Sequence, residues 1–173
     1  PTRRSSDLVV AALSEAAEGL IAGFETARAA EGLALAAVIG AQIDQIESLT
    51  RQARDAAAAR RSDQIDALRA ALARLTEAAP GVDPGRLEQE LALIAVKTDV
   101  TEELDRLGAH VGAARALMRG GEAVGRKLDF LMQEFNREAN TLCSKAQSAE
   151  LTRIGLDLKT VIDQMREQVQ NLE

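Results

Sequence analysis

The sequence predicts an all-α protein of long antiparallel helices and helical hairpins packed into an extended bundle. Two features carry that expectation. Aromatic residues make up only 2% of the chain, while hydrophobic residues still reach 46%. The bulk is Ala, Leu, Glu, Arg and Gln, residues that lose little rotamer freedom in a helix, rather than the aromatic and β-branched residues that sheets draw on. Apolar residues also recur at helical spacing along most of the 173 residues,.

The elements follow in chain order. Pro1 to Leu8 (PTRRSSDL) resemble the conceptual translation of a sequencing adapter and are expected to be non-native,. From Val9 to about Ala30, Leu13, Ala16, Leu20 and Phe24 make a first stripe; from about Glu31 to Ala58, Leu35, Val38, Ile39, Ile43 and Ile46 make a second. No proline separates them, so one continuous helix is an option,. A third run carries Ile65, Leu68, Leu72 and Leu75, with a break expected at Arg60, Arg61, Ser62 and Asp63. Residues 9–80 therefore read as a long helical hairpin or arm.

The segment Ala79-Pro80-Gly81-Val82-Asp83-Pro84-Gly85 is the clearest punctuation,. Asp83 suits an N-cap and Pro84 a first helical position. A helix from about Pro84 to Lys97 is expected to bury Leu87, Leu91 and Ile94. Asp99 is placed to cap the next helix, with Glu102 as capping-box partner. That helix carries the stripe Val100, Leu104, Leu107, Val111, Ala114 and Met118, and Gly120-Gly121 ends it,. Two more helices follow. The first, about Gly125 to Gln147, buries Leu128, Leu131, Met132, Phe135, Ala139 and Leu142. The second, about Ala149 to Asn171, buries Leu151, Ile154, Leu158, Val161, Met165, Val169 and Leu172. Residues 81–173 read as a C-terminal helical domain.

Charge and composition narrow the function. A net charge of −6 argues against a chain that grips nucleic acid through bulk positive charge, but leaves room for an acidic, metal-binding site,. Cys143 is the single cysteine, so no internal disulfide forms, and a reducing cytoplasm is the simplest setting,. No run approaches the roughly 20 apolar residues of a membrane span. No P-loop, dinucleotide fingerprint or zinc-ligand spacing occurs,.

Two segments combine residues able to do chemistry. On a helix, Glu103, Arg106 and His110 lie near one line. A carboxylate and an imidazole there suit Mg²⁺ or Mn²⁺, with Arg106 facing a phosphate. The plainer reading makes Asp99 and Glu102 caps, Glu103–Arg106 a surface pair and His110 a flank of the core. In the next segment, Glu134, Glu138, Thr141 and Lys145 form one line, and Gln133, Asn136 and Asn140 its neighbour. Amides are poor fillers for a solvated helix face. They read as contacts to a ligand, a partner helix or RNA, or as a polar network between helices. The carboxylates are candidates for metal binding or proton transfer. Arg126, Lys127, Arg137 and Lys145 are candidate phosphate contacts, with a solvated face as the alternative for Lys127 and Lys145. Arg51, Arg54, Arg60 and Arg61 read as a solvated basic face, and Cys143 as core.

The same segments resemble a known family. Arg86-Leu87-Glu88-Gln89-Glu90 is similar to its RLxQE pattern, and Asp99 to His110 to its DxxEELxRLxxH pattern. Gly125 to Lys145 is similar to GRKLDFLxQExNRExNTLxSK, and the chain's ending, with Leu158-Lys159 and Arg166 to Glu173, also matches. The family is the YicC/YloC endoribonucleases; the resemblance is strong from about Arg86 and weak before it, where it rests on Arg28, Glu31 and Gly32.

The resemblance implies a bacterial, cytoplasmic endoribonuclease. It would depend on a divalent cation, Mn²⁺ or Mg²⁺, assemble as a homohexamer around RNA, and have a mixed-structure N-terminal domain that this chain does not include. On that footing Glu103, His110, Glu134 and Glu138 are expected to hold metal or handle protons. Arg106, Arg126, Arg137, Asn136, Asn140 and Lys145 are expected to contact RNA. The alternative is a non-catalytic helical module for oligomerisation and RNA docking; a coiled-coil interaction protein with no RNA role is the third reading.

Overall fold

The computed structural model describes residues 2–78, 83–120 and 124–170, and nearly all of them are helical, with no strand among them. The elements are α1 (Thr2–Ala78), α2 (Pro84–Lys97), α3 (Thr101–Arg119), α4 (Gly125–Lys145) and α5 (Ala149–Val169). The expected all-α bundle-like fold is what forms. The chain divides into two units, residues 1–38 and 39–173.

The break expected at Arg60–Asp63 is absent, and so is a hairpin within residues 9–78, because α1 runs through as one helix. Arg and Ala around that point are good helix formers, and neither Gly nor Pro interrupts them,. In the first unit Leu13, Leu20 and Phe24 are exposed, and Arg28 lies over the Phe24 ring at 5.8 Å.

In the second unit, residues Ile39, Ile43, Ile46, Leu49, Ala53 and Ala56 of α1 form a buried stripe at spacings of three and four, so they fall on the same helix face,. They share one core with Val100, Leu104, Leu107, Val111 and Ala114 near and on α3, the predicted stripe of α4, and Leu151 to Val169 of α5. Met118 is partly buried at the edge of that core, while the predicted Leu172 lies outside the described residues.

Arginines fasten the elements. Arg115 reaches Asp44 Oδ1 at 2.6 Å and Glu47 Oε2 at 2.8 Å. Arg54 donates to Asp105 Oδ1 at 2.9 Å and to the Leu104 carbonyl at 3.3 Å. Arg60 donates to the carbonyls of Ala146 and Gln147 at 2.6 and 3.0 Å. Arg54 and Arg60 are thus ties between elements, and the purely solvated basic face expected of this stretch does not describe them.

The termini follow sequence chemistry in part. Asp83 caps α2 by accepting from Gly85 N at 3.0 Å, with Pro84 in the first turn. Yet α2 buries none of its expected residues fully, and Ile94 is 47% exposed. Asp99 accepts from Thr101 N at 2.9 Å and Thr101 Oγ1 at 2.6 Å, which holds its carboxyl below the usual range. The expected capping box is replaced, because Glu102 pairs with Arg106. Ser148 caps α5 through Leu151 N at 3.1 Å, after a left-handed Gln147 at φ 41°.

Candidate metal centre and nucleic-acid interface

The site is assembled on α3 and α4, whose apolar stripes meet in the core. Leu107 and Val111 of α3 and Leu131, Met132 and Phe135 of α4 are buried in that core. Packing this face inward brings His110 from α3 against α4, where its ring meets the Phe135 ring edge-on, centroids 5.5 Å apart. Glu134 and Glu138 are one turn apart on the facing side of α4. One ligand atom from each of His110, Glu134 and Glu138 lies within 4.8 Å of the other two. Glu138 is buried; His110 and Glu134 are half-buried.

The donor set fits a divalent cation. His110 Nε2 is buried and has no hydrogen-bond partner among the described residues. Such a nitrogen has given up water for nothing in return. Two carboxylates and one imidazole match the ligand preferences of Mn²⁺ better than those of Ca²⁺ or of a thiolate-selecting metal.

Glu103 stands elsewhere. It is buried, its Oε1 accepts from Lys145 Nζ at 2.7 Å, and Lys145 also donates to the Asp99 carbonyl at 3.2 Å. Its Oε2 is buried without a hydrogen-bond partner among the described residues. Glu103 and His110 share a helix line, but seven residues separate them by about 10 Å along the axis, so only His110 reaches the cluster. Lys145, expected at phosphate, is instead engaged within the fold.

Arg106 donates to Glu138 Oε1 at 3.3 Å and pairs with Glu102. The bond to Glu138 and the Glu102 charge together hold the guanidinium above its ordinary value. Arg106 is therefore the counter-ion of a buried carboxylate, with its outer part exposed. Arg126 is exposed in the first turn of α4.

The amide row opens on another side of α4. Gln133, Asn136, Arg137, Asn140 and Thr141 line a shallow groove of about 450 Å³ over Met132, closed by Arg166 of α5. Asn140 Nδ2 donates to Asn136 Oδ1 at 3.0 Å, and Gln133 to Asp129 at 3.2 Å. Arg137 and Arg166 have no ion-pair partner among the described residues. Arg166 went unmarked as a site residue because it sits in an ordinary amphipathic stretch; only packing brings it opposite Arg137. Cys143 is half-buried, and burial pushes its thiol up, which suits a packing role better than a nucleophile,.

A helical bundle that presents an imidazole and two carboxylates on one side of a helix, and a cationic amide-lined groove on another, has the make-up of a candidate metal-binding, polyanion-contacting protein. Residues 50–173 match the model of the family described as endoribonuclease YicC-like, C-terminal, and the chain belongs to that family. The match begins well upstream of Arg86, so the likeness reaches further into α1 than the short motifs indicate. The chain is similar to a protein named "Probable endoribonuclease YicC" from Haemophilus influenzae, 43% identical over 167 residues, which are 96% of this chain and 57% of that relative. A protein of the same name from Clostridioides difficile is 31% identical over the same shares. The chain thus spans just over half the length of these curated relatives. Among the described residues no helix is long and apolar enough to cross a membrane.

Proposed function

We propose that this chain carries the metal-binding part of a divalent-cation-dependent endoribonuclease that hydrolyses RNA phosphodiester bonds in the cytoplasm as a homohexamer. The observation that carries the reading is the convergence of His110, Glu134 and Glu138 within 4.8 Å, with a buried imidazole nitrogen left over. The relatives' names supply the reaction class. Exposed Leu13, Leu20 and Phe24 in the first unit are apolar surface that an assembly would cover,.

His110, Glu134 and Glu138 would hold Mn²⁺ or Mg²⁺. When bound, the cation supplies Lewis-acid polarisation of phosphoryl oxygens and acidifies water. Glu134, the more accessible carboxylate, would accept a proton from an attacking water,. Arg106 pairs with Glu138, and its exposed part would be available to a phosphate,. Arg126, Arg137, Asn136 and Asn140 hold the RNA. Glu103 and Lys145 position α3 against the end of α4 and take no direct part.

Calorimetric titration of the chain with Mn²⁺, together with cleavage of structured RNA by a full-length family protein carrying the same substitutions, tests this. His110→Ala, Glu134→Ala and Glu138→Ala should each weaken Mn²⁺ binding at least tenfold and reduce cleavage. Parent-like cleavage by all three sinks the assignment. If RNA binding or assembly falls while Mn²⁺ binding and turnover hold, the chain is instead a docking and oligomerisation module.

A further inference from the structure

Arg137 and Arg166 come from different helices, and neither has an ion-pair partner among the described residues. Arg54, Arg60, Arg106 and Arg115 are engaged within the fold. Two exposed guanidiniums from different helices thus line one groove. A fold keeps such a pair at little cost when an anion bridges it, and the planar guanidinium fork matches a phosphate.

The groove offers more than charge. The bond from Asn140 to Asn136 leaves the Asn136 NH₂ and the Asn140 carbonyl without partners among the described residues. A donor and an acceptor therefore sit side by side, the pattern that a ribose hydroxyl or a base edge can meet. Met132 forms the floor beneath them. The groove also shares α4 with Glu134 and Glu138: Arg137 precedes Glu138, and each residue step turns the helix by roughly 100°. A strand crossing α4 would meet the carboxylates and the groove in succession.

We propose that this groove is a subsite for one ribonucleotide of the bound strand, next to the metal cluster. Arg137 and Arg166 grip its phosphate, and Asn136 and Asn140 hydrogen-bond its ribose or base. The proposal rests on the RNA reading above and adds Arg166 as a binding residue.

The test is equilibrium binding of a short, unstructured, labelled oligoribonucleotide and its DNA counterpart to this chain. EDTA is present throughout, so neither the cation nor cleavage contributes. Arg166→Ala and Arg137→Ala should each weaken RNA binding about tenfold and lower the slope of binding against salt by about one. Asn140→Ala should narrow the preference for RNA over DNA. Arg153→Ala, an exposed change on α5, the helix of Arg166, at a side chain paired with Asp157, should bind as the parent does. Parent-like binding by both Arg166→Ala and Arg137→Ala overturns the subsite and leaves the nuclease reading standing. Failure of the parent to bind RNA at all overturns the reading of this chain as RNA-contacting, and the subsite with it.

Discussion

A buried imidazole nitrogen without a partner costs on the order of 1–3 kcal/mol of lost hydration, and His110 Nε2 is such an atom. The residue type and its helix line are visible in the sequence; its burial is not, because Phe135 supplies it from another helix. Glu103 shows the converse. It shares the line with His110, yet two turns of helix carry it to Lys145 instead. The Gly155 contact is likewise invisible in sequence, since it depends on how α4 and α5 close. A Cβ at that position would lie 2.5 Å from Cys143 Sγ. Gly155→Ala should cost about 1–3 kcal/mol in chemical denaturation, and Cys143→Ala in the same chain should recover most of it, since the next contact is an ordinary 3.8 Å. Equal loss in the single and double variants would place the strain elsewhere.

Two carboxylates set a pH dependence at the same scale. Glu47 is held below its ordinary value first by its bond to Arg115, and Asp99 by its bonds to Thr101. A depressed folded-state value means that ionisation favours the folded chain. The stabilisation is complete above the unfolded values, near pH 4–4.5, and disappears as pH falls through the lower folded ones. Arg115→Ala should therefore flatten the fall in Tm below about pH 5, and added salt should mimic part of that change. A Tm profile in acid that matches the parent's would show that the Arg115 pairs contribute nothing.

Elements were legible wherever one face is buried against the core. The stripes of α3, α4 and α5 follow their spacing because each helix lies against a neighbour. The expected break in α1 failed because polar, charged residues can continue a helix as easily as end it, and nothing in residues 60–63 breaks one. The expected burial of α2 failed because a stripe says that a helix can bury a face, while only tertiary contacts say that it does. The α4–α5 junction gives the clearest test of an element boundary. Ser148 caps α5, and Arg60, far away in sequence, binds the carbonyls of Ala146 and Gln147 just beyond α4. Ser148→Ala should cost about 1 kcal/mol through the cap. Arg60→Ala should cost about as much by leaving a cation-bonded carbonyl unmatched. The sites lie on opposite sides of one turn, so the double variant should lose less than the sum. Strict additivity in urea melts would show that the two caps act independently.

For the whole molecule, the buried charges sort into two groups with opposite consequences. Glu103 is neutralised by Lys145, so removing the lysine leaves a buried carboxylate alone. Lys145→Met should cost about 2–3 kcal/mol, the lower side of what breaking a buried pair costs, because the lysine is 27% exposed,. Its effect on Mn²⁺ affinity should be small. The cluster of His110, Glu134 and Glu138 holds two carboxylates, with Arg106 paired to Glu138 among the described residues. Glu134→Gln removes like-charge repulsion and should raise the metal-free Tm, the usual exchange of function for stability. A cation that binds only the folded chain stabilises it by about 2.7 kcal/mol at a hundred times its Kd. For a chain of this size that is about 5–10 °C in Tm. Thermal melts with and without Mn²⁺ should therefore divide the variants cleanly. Lys145→Met should start low and still gain the full Mn²⁺ shift, while Glu134→Gln and His110→Ala should start at or above the parent and gain little. If Lys145→Met loses the Mn²⁺ shift and Glu134→Gln keeps it, the cation lies at Glu103 and the cluster on α3 and α4 is only a strained polar contact.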